Sequence, residues 1–188
     1  MSEYSLIEKL SNDENEMVKK AHADYGEIFD TAESSIALLL ECIESCDQET
    51  SIFSQYLSQV RVSLALALLS TVRRHEVQAY MMLRQALESS VLAAYGLYKP
   101  EFNEYGKINP DRTVSPDENT KNRAYKWVKS EFPNHSASIK KVKNRINAYG
   151  AHANLINSSS TFEDLGHGFN HFFLTRKIIL LQHVNCGK

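Results

Sequence analysis

The feature that most narrows the fold is helical periodicity sustained through most of the first hundred residues. Residues 14–47 are rich in Glu, Ala, Leu and Lys and contain no Pro. Within them Ile28, Ala32, Ser35, Leu39 and Ile43 recur at helical spacing, with Ile36 and Leu40 beside them. Residues 51–73 repeat the pattern with Phe53, Leu57, Val60, Leu64, Ala67 and Leu68. Residues 76–98 repeat it with Ala79, Met82, Leu83, Ala86, Leu87, Ser90, Val91 and Ala94. Side chains three and four apart share one face of a helix, so each stretch predicts a helix with a single apolar side. The ends agree. Asn12 or Asp13 is placed to cap the first helix and Thr50 or Ser51 the second. Arg73-Arg74-His75 suits the negative dipole end of the second, and Pro100 stops the third.

Beyond residue 98 the punctuation changes. Pro100, Gly106, Asn109-Pro110 and Ser115-Pro116 mark residues 99–116 as one long loop. Pro116 followed by Asp117 and Glu118 predicts a fourth helix reaching about Phe132. Pro133-Asn134 breaks it, and a fifth helix is expected from about Ser136 to Ala153. Residues 155–171, with a Ser tract, Gly166 and Gly168, read as an irregular loop or short hairpin. The apolar segment 172–184 fits either a helix or a strand, and its neighbourhood favours helix. The expectation is an all-α chain forming one domain over residues 1–188, a bundle of five or six helices with residues 1–12 flexible. A length of 188 residues supports one such core.

Composition excludes several classes. At 43% hydrophobic the chain is too apolar for global disorder, and seven Gly with four Pro exclude collagen-like sequences. Three Cys do not make a disulfide framework, and Cys42 and Cys46, one turn apart, read as buried or partly buried thiols. The opening residues are polar and acidic, and the longest apolar run, near Val62–Leu69, falls short of the roughly 20 residues of a membrane span. A cytoplasmic protein without membrane partner is therefore expected. His167 and His171, with His183 beyond, would share a helical face and could ligate zinc. Glycines bracket His167, however, and on a strand the two histidines would stand about 13 Å apart. No metal and no other cofactor is expected.

Charge is distributed unevenly. Residues 1–50 hold thirteen acids and three bases, a net of −10. Residues 119–145 hold Lys121, Arg123, Lys126, Lys129, Lys140, Lys141, Lys143 and Arg145 against Glu131 alone, a net of +7. A basic stripe interleaved with Tyr125 and Trp127 suits a polyanion. It equally suits a solvated face that complements the acidic first fifty residues, within the chain or across a dimer.

The basic segment ends in Arg145-Ile-Asn-Ala-Tyr-Gly-Ala-His152. On one uninterrupted helix Arg145 and His152 would lie on one face, about 10.5 Å apart along the axis, with Tyr149 between them. A permanent fork-shaped cation and a group that exchanges a proton near neutrality are what RNA cleavage without a metal requires. The competing reading is a surface Arg and a His at the helix end near Gly150. Earlier in the chain, Arg84 and Glu88 stand at i,i+4 on an otherwise apolar face, where a buried Glu88 could orient a basic residue of another helix.

The segments LRQALE (83–88) and NRINAYGAHAN (144–154) together resemble the HEPN superfamily, especially its abortive-infection-like bacterial members, over about residues 51–155. In that family an Arg, four to six intervening residues and a His form a ribonuclease motif; six residues intervene here, and Ile146 follows the Arg where the family often has a polar residue. The resemblance implies a helical bundle that dimerises and pairs two motifs in one cleft. It implies a metal-independent endoribonuclease of a defence or toxin–antitoxin type, with Arg145 steadying the phosphate and His152 moving the proton. Tyr149 or Asn147 would position RNA, and Glu88 and Arg84 would support the motif from behind. The stripe Lys121, Arg123, Lys126, Lys129, Lys140, Lys141 and Lys143 would hold the RNA backbone, and a protein regulator is a further expected partner. The alternative is a non-catalytic helical module that binds nucleic acid or protein.

Overall fold

The structure is a computed structural model, and it describes residues 5–44, 46–150, 162–164 and 169–171. Ser5 opens the first helix with a reciprocal capping box: its hydroxyl accepts the Glu8 backbone N–H at 3.2 Å, while the Glu8 carboxylate accepts the Ser5 N–H at 2.7 Å. Two of the orphan N–H groups at a helix start are thereby satisfied. Helix α1 (Leu6–Lys19) thus begins well before Asn12 and Asp13 and takes in residues 6–12. The single helix expected over residues 14–47 is instead divided. The end of α1 is followed by a five-residue α2 (Ala21–Tyr25) and then by α3 (Glu27–Glu44). Gly26 makes the second break. It has φ +53°, a left-handed conformation that side-chain-bearing residues adopt at a cost, and its carbonyl accepts the Phe29 and Asp30 N–H groups as the chain re-enters a helix. His22 and Asp30 join the two pieces at 2.8 Å.

Helices α4 (Ser51–Val72) and α5 (Glu76–Tyr98) match the spacing read from the sequence and form the central hairpin. Thr50 occupies the cap position of α4 without capping it; its hydroxyl turns back to Asp47. Helix α3 packs on α4, whereas α6 (Thr120–Glu131) and α7 (Pro133–Tyr149) pack on α5 and on each other. Among the described residues α4 is long and apolar enough to cross a membrane, although its longest unbroken apolar run is short. In the fold it lies between α3 and α5.

The core forms where α4, α5 and α6 meet: Ile52, Val91, Tyr95, Tyr105, Ala124 and Val128 are buried together, with Trp127 and Ile139 packed against them. Each large apolar side chain removed from water there contributes about 1.5–3 kcal/mol.

The expected loop 99–116 carries structure of its own. A 3-10 turn (Phe102–Glu104) leads into an antiparallel hairpin of β1 (Gly106–Ile108) and β2 (Val114–Pro116), with Lys107 opposite Ser115. Tyr105 anchors it: its ring packs against Tyr56 and Tyr95, and its hydroxyl donates to the Lys99 carbonyl at 2.9 Å. Pro116 ends β2 rather than opening a helix, and α6 starts four residues later. Pro133 is the first residue of α7, a position where its missing N–H costs nothing, so α7 begins before Ser136. A second hairpin, β3 (Phe162–Asp164) with β4 (Phe169–His171), falls in the segment expected to be irregular or a short hairpin. The described chain is thus an all-α bundle of seven helices with small hairpins; segment 172–184 lies outside the described residues.

Candidate nucleic-acid interface

Helix α7 places its residues by simple periodicity. Ile146 is buried against the bundle and Ile139 is half-buried, while Lys140, Lys141 and Arg145 face solvent. Tyr149 is 46% exposed and lies against the buried Tyr80 of α5, ring centroids 6.3 Å apart and planes 23° from parallel. Arg145 is close enough for its charge to bear on the Tyr80 hydroxyl. Burial, with help from the nearby Glu76 carboxylate, nevertheless pushes that hydroxyl above its ordinary value.

Of the helix expected from about Ser136 to Ala153, residues 151–153 lie outside the described residues, and the described part belongs to α7. It ends at Tyr149, and Gly150 is its cap. A close approach keeps that cap position for glycine: a Cβ on Gly150 would stand 2.6 Å from Cγ of Tyr80, so only a residue without a side chain fits there. His152 itself lies outside the described residues, as do His167 and His183.

Glu88 is where the sequence reading of a partner on another helix is met. Its carboxylate receives Lys121 Nζ of α6 at 2.7 Å and Arg84 Nε of its own helix at 3.3 Å, and Lys143 Nζ of α7 lies at 3.8 Å. Burial pushes the Glu88 carboxyl up, but the hydrogen bond and charge of Lys121, joined by Arg84 and Lys143, outweigh it, and the group sits below the usual glutamate value. Lys143 also lies over the Tyr125 ring, 4.7 Å from its centroid. Asn147, one turn on, is half-buried, and its Oδ1 is closed off from solvent without a hydrogen-bond partner among the described residues.

The basic stripe accordingly divides. Lys121 and Lys143 converge on Glu88. Arg123 clasps the hairpin to α6, donating to Asp117 Oδ2 at 2.9 Å and to the Glu104 carbonyl, with the Glu104 carboxylate 3.5 Å from its Nε. Lys126, Lys129, Lys140 and Lys141 are exposed and make no ion pair among the described residues. The interleaved aromatics point inward: Trp127 stacks on Tyr98 at 5.2 Å and meets Tyr95 and Phe132 edge-on.

Two contacts were not legible in advance. Glu14 of α1, only 15% exposed, reaches His75 Nε2 at 3.0 Å and Arg73 Nε at 3.5 Å, so the cluster read as a helix-end feature also fastens the first helix. The Tyr80–Gly150 contact is equally silent in the sequence, apart from the oddity of a Gly beside the Arg–His motif. Among the described residues no three His, Cys, Asp or Glu side chains are grouped to hold a metal ion. Comparison with protein-family models, with curated proteins and with solved structures returns no match for this chain.

Proposed function

We propose that the protein is a HEPN-like endoribonuclease that works as a homodimer without a metal, in a defence or toxin–antitoxin setting. The observation that carries the reading is the solvent face of α6 and α7. Lys126, Lys129, Lys140 and Lys141 are exposed there without acidic partners among the described residues, on the two helices that lead to an exposed Arg145. Clustered, unneutralised cations suit a phosphate backbone. Arg145 would steady charge on the scissile phosphate, and His152, two residues beyond the cap of α7, would move the 2′-hydroxyl proton. The half-exposed Tyr149, backed by Tyr80, offers a flat aromatic surface against which a base could stack.

The test is RNA incubated in EDTA with wild type, His152→Ala and Arg145→Ala. Wild type should release 2′,3′-cyclic phosphate ends, and loss of the His should slow cleavage by about 10²–10⁴-fold. Equal cleavage by wild type and His152→Ala, or no cleavage by either, overturns the mechanism. A second reading is a module that binds RNA without cutting it, through the exposed Lys126, Lys129, Lys140 and Lys141 alone. It is recognised by RNA affinity that falls steeply with salt in the absence of any cleavage.

A further inference from the structure

We propose that the protein associates with a second copy of itself through opposite charges, the acidic outer face of α3 in one copy lying on the basic outer face of α7 in the other. This contact is independent of RNA cleavage. Helix α3 carries Glu27, Asp30, Glu33, Glu41 and Glu44 and no Lys or Arg. Helix α7 carries Lys140, Lys141, Lys143 and Arg145 and no Asp or Glu. With 18 and 17 residues the two helices match in length, at about 25 Å each. Among the described residues, Asp30 is the one acid of α3 with an ion partner, His22, and Lys143 the one base of α7 with an ion partner, Glu88.

The charges gather on faces that the bundle leaves uncovered. On α3, Glu27, Thr31, Ser34, Leu38 and Glu41 recur at alternating spacings of four and three, so they form one exposed stripe, part of it a shallow surface groove shared with Asp30. On α7, Ala137, Lys141, Asn144 and Ala148 form the corresponding exposed stripe, flanked by Lys140 and Arg145. Helices lie along one another through stripes of this spacing. Leu38, 58% exposed, and Val142, 48% exposed, give each face an apolar contact. Apolar contact within a charged rim is the ordinary make-up of a protein interface, and excluding water strengthens ion pairs that count for little on an open surface. The two faces do not meet within a chain: α3 packs on α4, α7 packs on α5 and α6, and among the described residues no ion pair joins α3 to α7. Each copy thus presents both halves of the contact, and a total charge of −2 leaves little net repulsion between copies. Lys140 and Lys141 are also two of the cations proposed to hold an RNA backbone, so on that reading a strand and the α3 of a second copy exclude one another.

Sedimentation velocity over a concentration series, at low and at high salt, reads the association. The proteins are wild type, an acid-reversed variant (Glu27→Lys with Glu41→Lys), a base-reversed variant (Lys140→Glu with Lys141→Glu) and a chain carrying all four changes, with folding checked by circular dichroism. Wild type should associate at low salt and separate as salt rises. Either reversal alone should weaken association at least about tenfold, because like charges then face each other. Mixing the two reversed variants, or joining all four changes in one chain, should restore it. Should a reversal fail to fold, Glu27→Gln with Glu41→Gln and Lys140→Gln with Lys141→Gln take its place; weaker association in both is expected, and unchanged association in both overturns the contact. Wild type that stays monomeric, association indifferent to salt and to both reversals, or association lost in each reversal and not restored by mixing also overturns it. Labelled single-stranded RNA, added in EDTA, separates this result from the RNA reading. RNA that releases the copies upholds both, whereas RNA bound to copies that stay joined overturns the contact. Association restored by mixing, in a protein that binds no RNA, upholds the contact and removes the RNA reading instead.

Discussion

Glu88 shows how one residue joins three helices by charge. Its carboxyl titrates below the ordinary glutamate value of 4.5, so its contribution to stability is present above that pH and is lost as the pH falls through its lower, folded value. Thermal unfolding over a pH series should therefore show wild type more stable than Glu88→Gln near neutrality, with the difference shrinking below about 4.5. A constant difference across the series would deny the ion cluster that role. Gly150 makes the opposite kind of demand, for absence of a side chain. A Cβ there meets the buried ring of Tyr80, so Gly150→Ala should cost about 1–3 kcal/mol by overpacking, measured by denaturant unfolding. Tyr80→Ala in the same background should recover part of that cost, since the clash is with that ring.

Among the helices, α1 lies outside the core. It contributes no buried residue, and the well-covered Glu14 joins it to Arg73 and His75 at the turn between α4 and α5. Removing that carboxylate in Glu14→Ala should raise amide exchange across Leu6–Lys19 while leaving α5 and α6 protected; uniform loosening of the whole bundle would contradict this attachment. The capping box makes a second, smaller contribution. Ser5→Ala should cost about 0.5–2 kcal/mol of local helix stability, read from the same exchange experiment. The hairpin before α6 is held differently, by Arg123 on Asp117 and Glu104 and by Thr120 donating to the Glu104 carbonyl at 2.7 Å.

Across the whole molecule, charge is separated by the α4–α5 hairpin. The acidic α1–α3 layer packs on α4 and the basic α6–α7 layer on α5, so the two lie on different helices of that hairpin. The expected outcome is retention on a polyanionic matrix at low salt, lost with rising ionic strength. Replacing Lys126, Lys129, Lys140 and Lys141 together by Gln should weaken it most, because those four have no internal acid to satisfy among the described residues. Replacing Arg123 should instead disturb the hairpin and α6. Equal loss of retention in both variants would remove the distinction between solvent-facing and structural cations.

The sequence alone determined the helical class and the two central helices, because a period of 3–4 residues places apolar side chains on one face whatever surrounds them. It also located the excess of positive charge in residues 119–145, and it raised Glu88 as a group that would need a cation from elsewhere. Tertiary structure decided which basic residues face water and which are engaged inside, since Lys121, Arg123 and Lys143 look no different in sequence from Lys126 or Lys140. It decided the hairpin over 106–116, where Pro and Gly signal a turn but the pairing depends on the packing of Tyr105 against Tyr56 and Tyr95. It also decided which residue caps α7: the Tyr80 ring, 70 residues earlier in the chain, leaves no room for a side chain at Gly150.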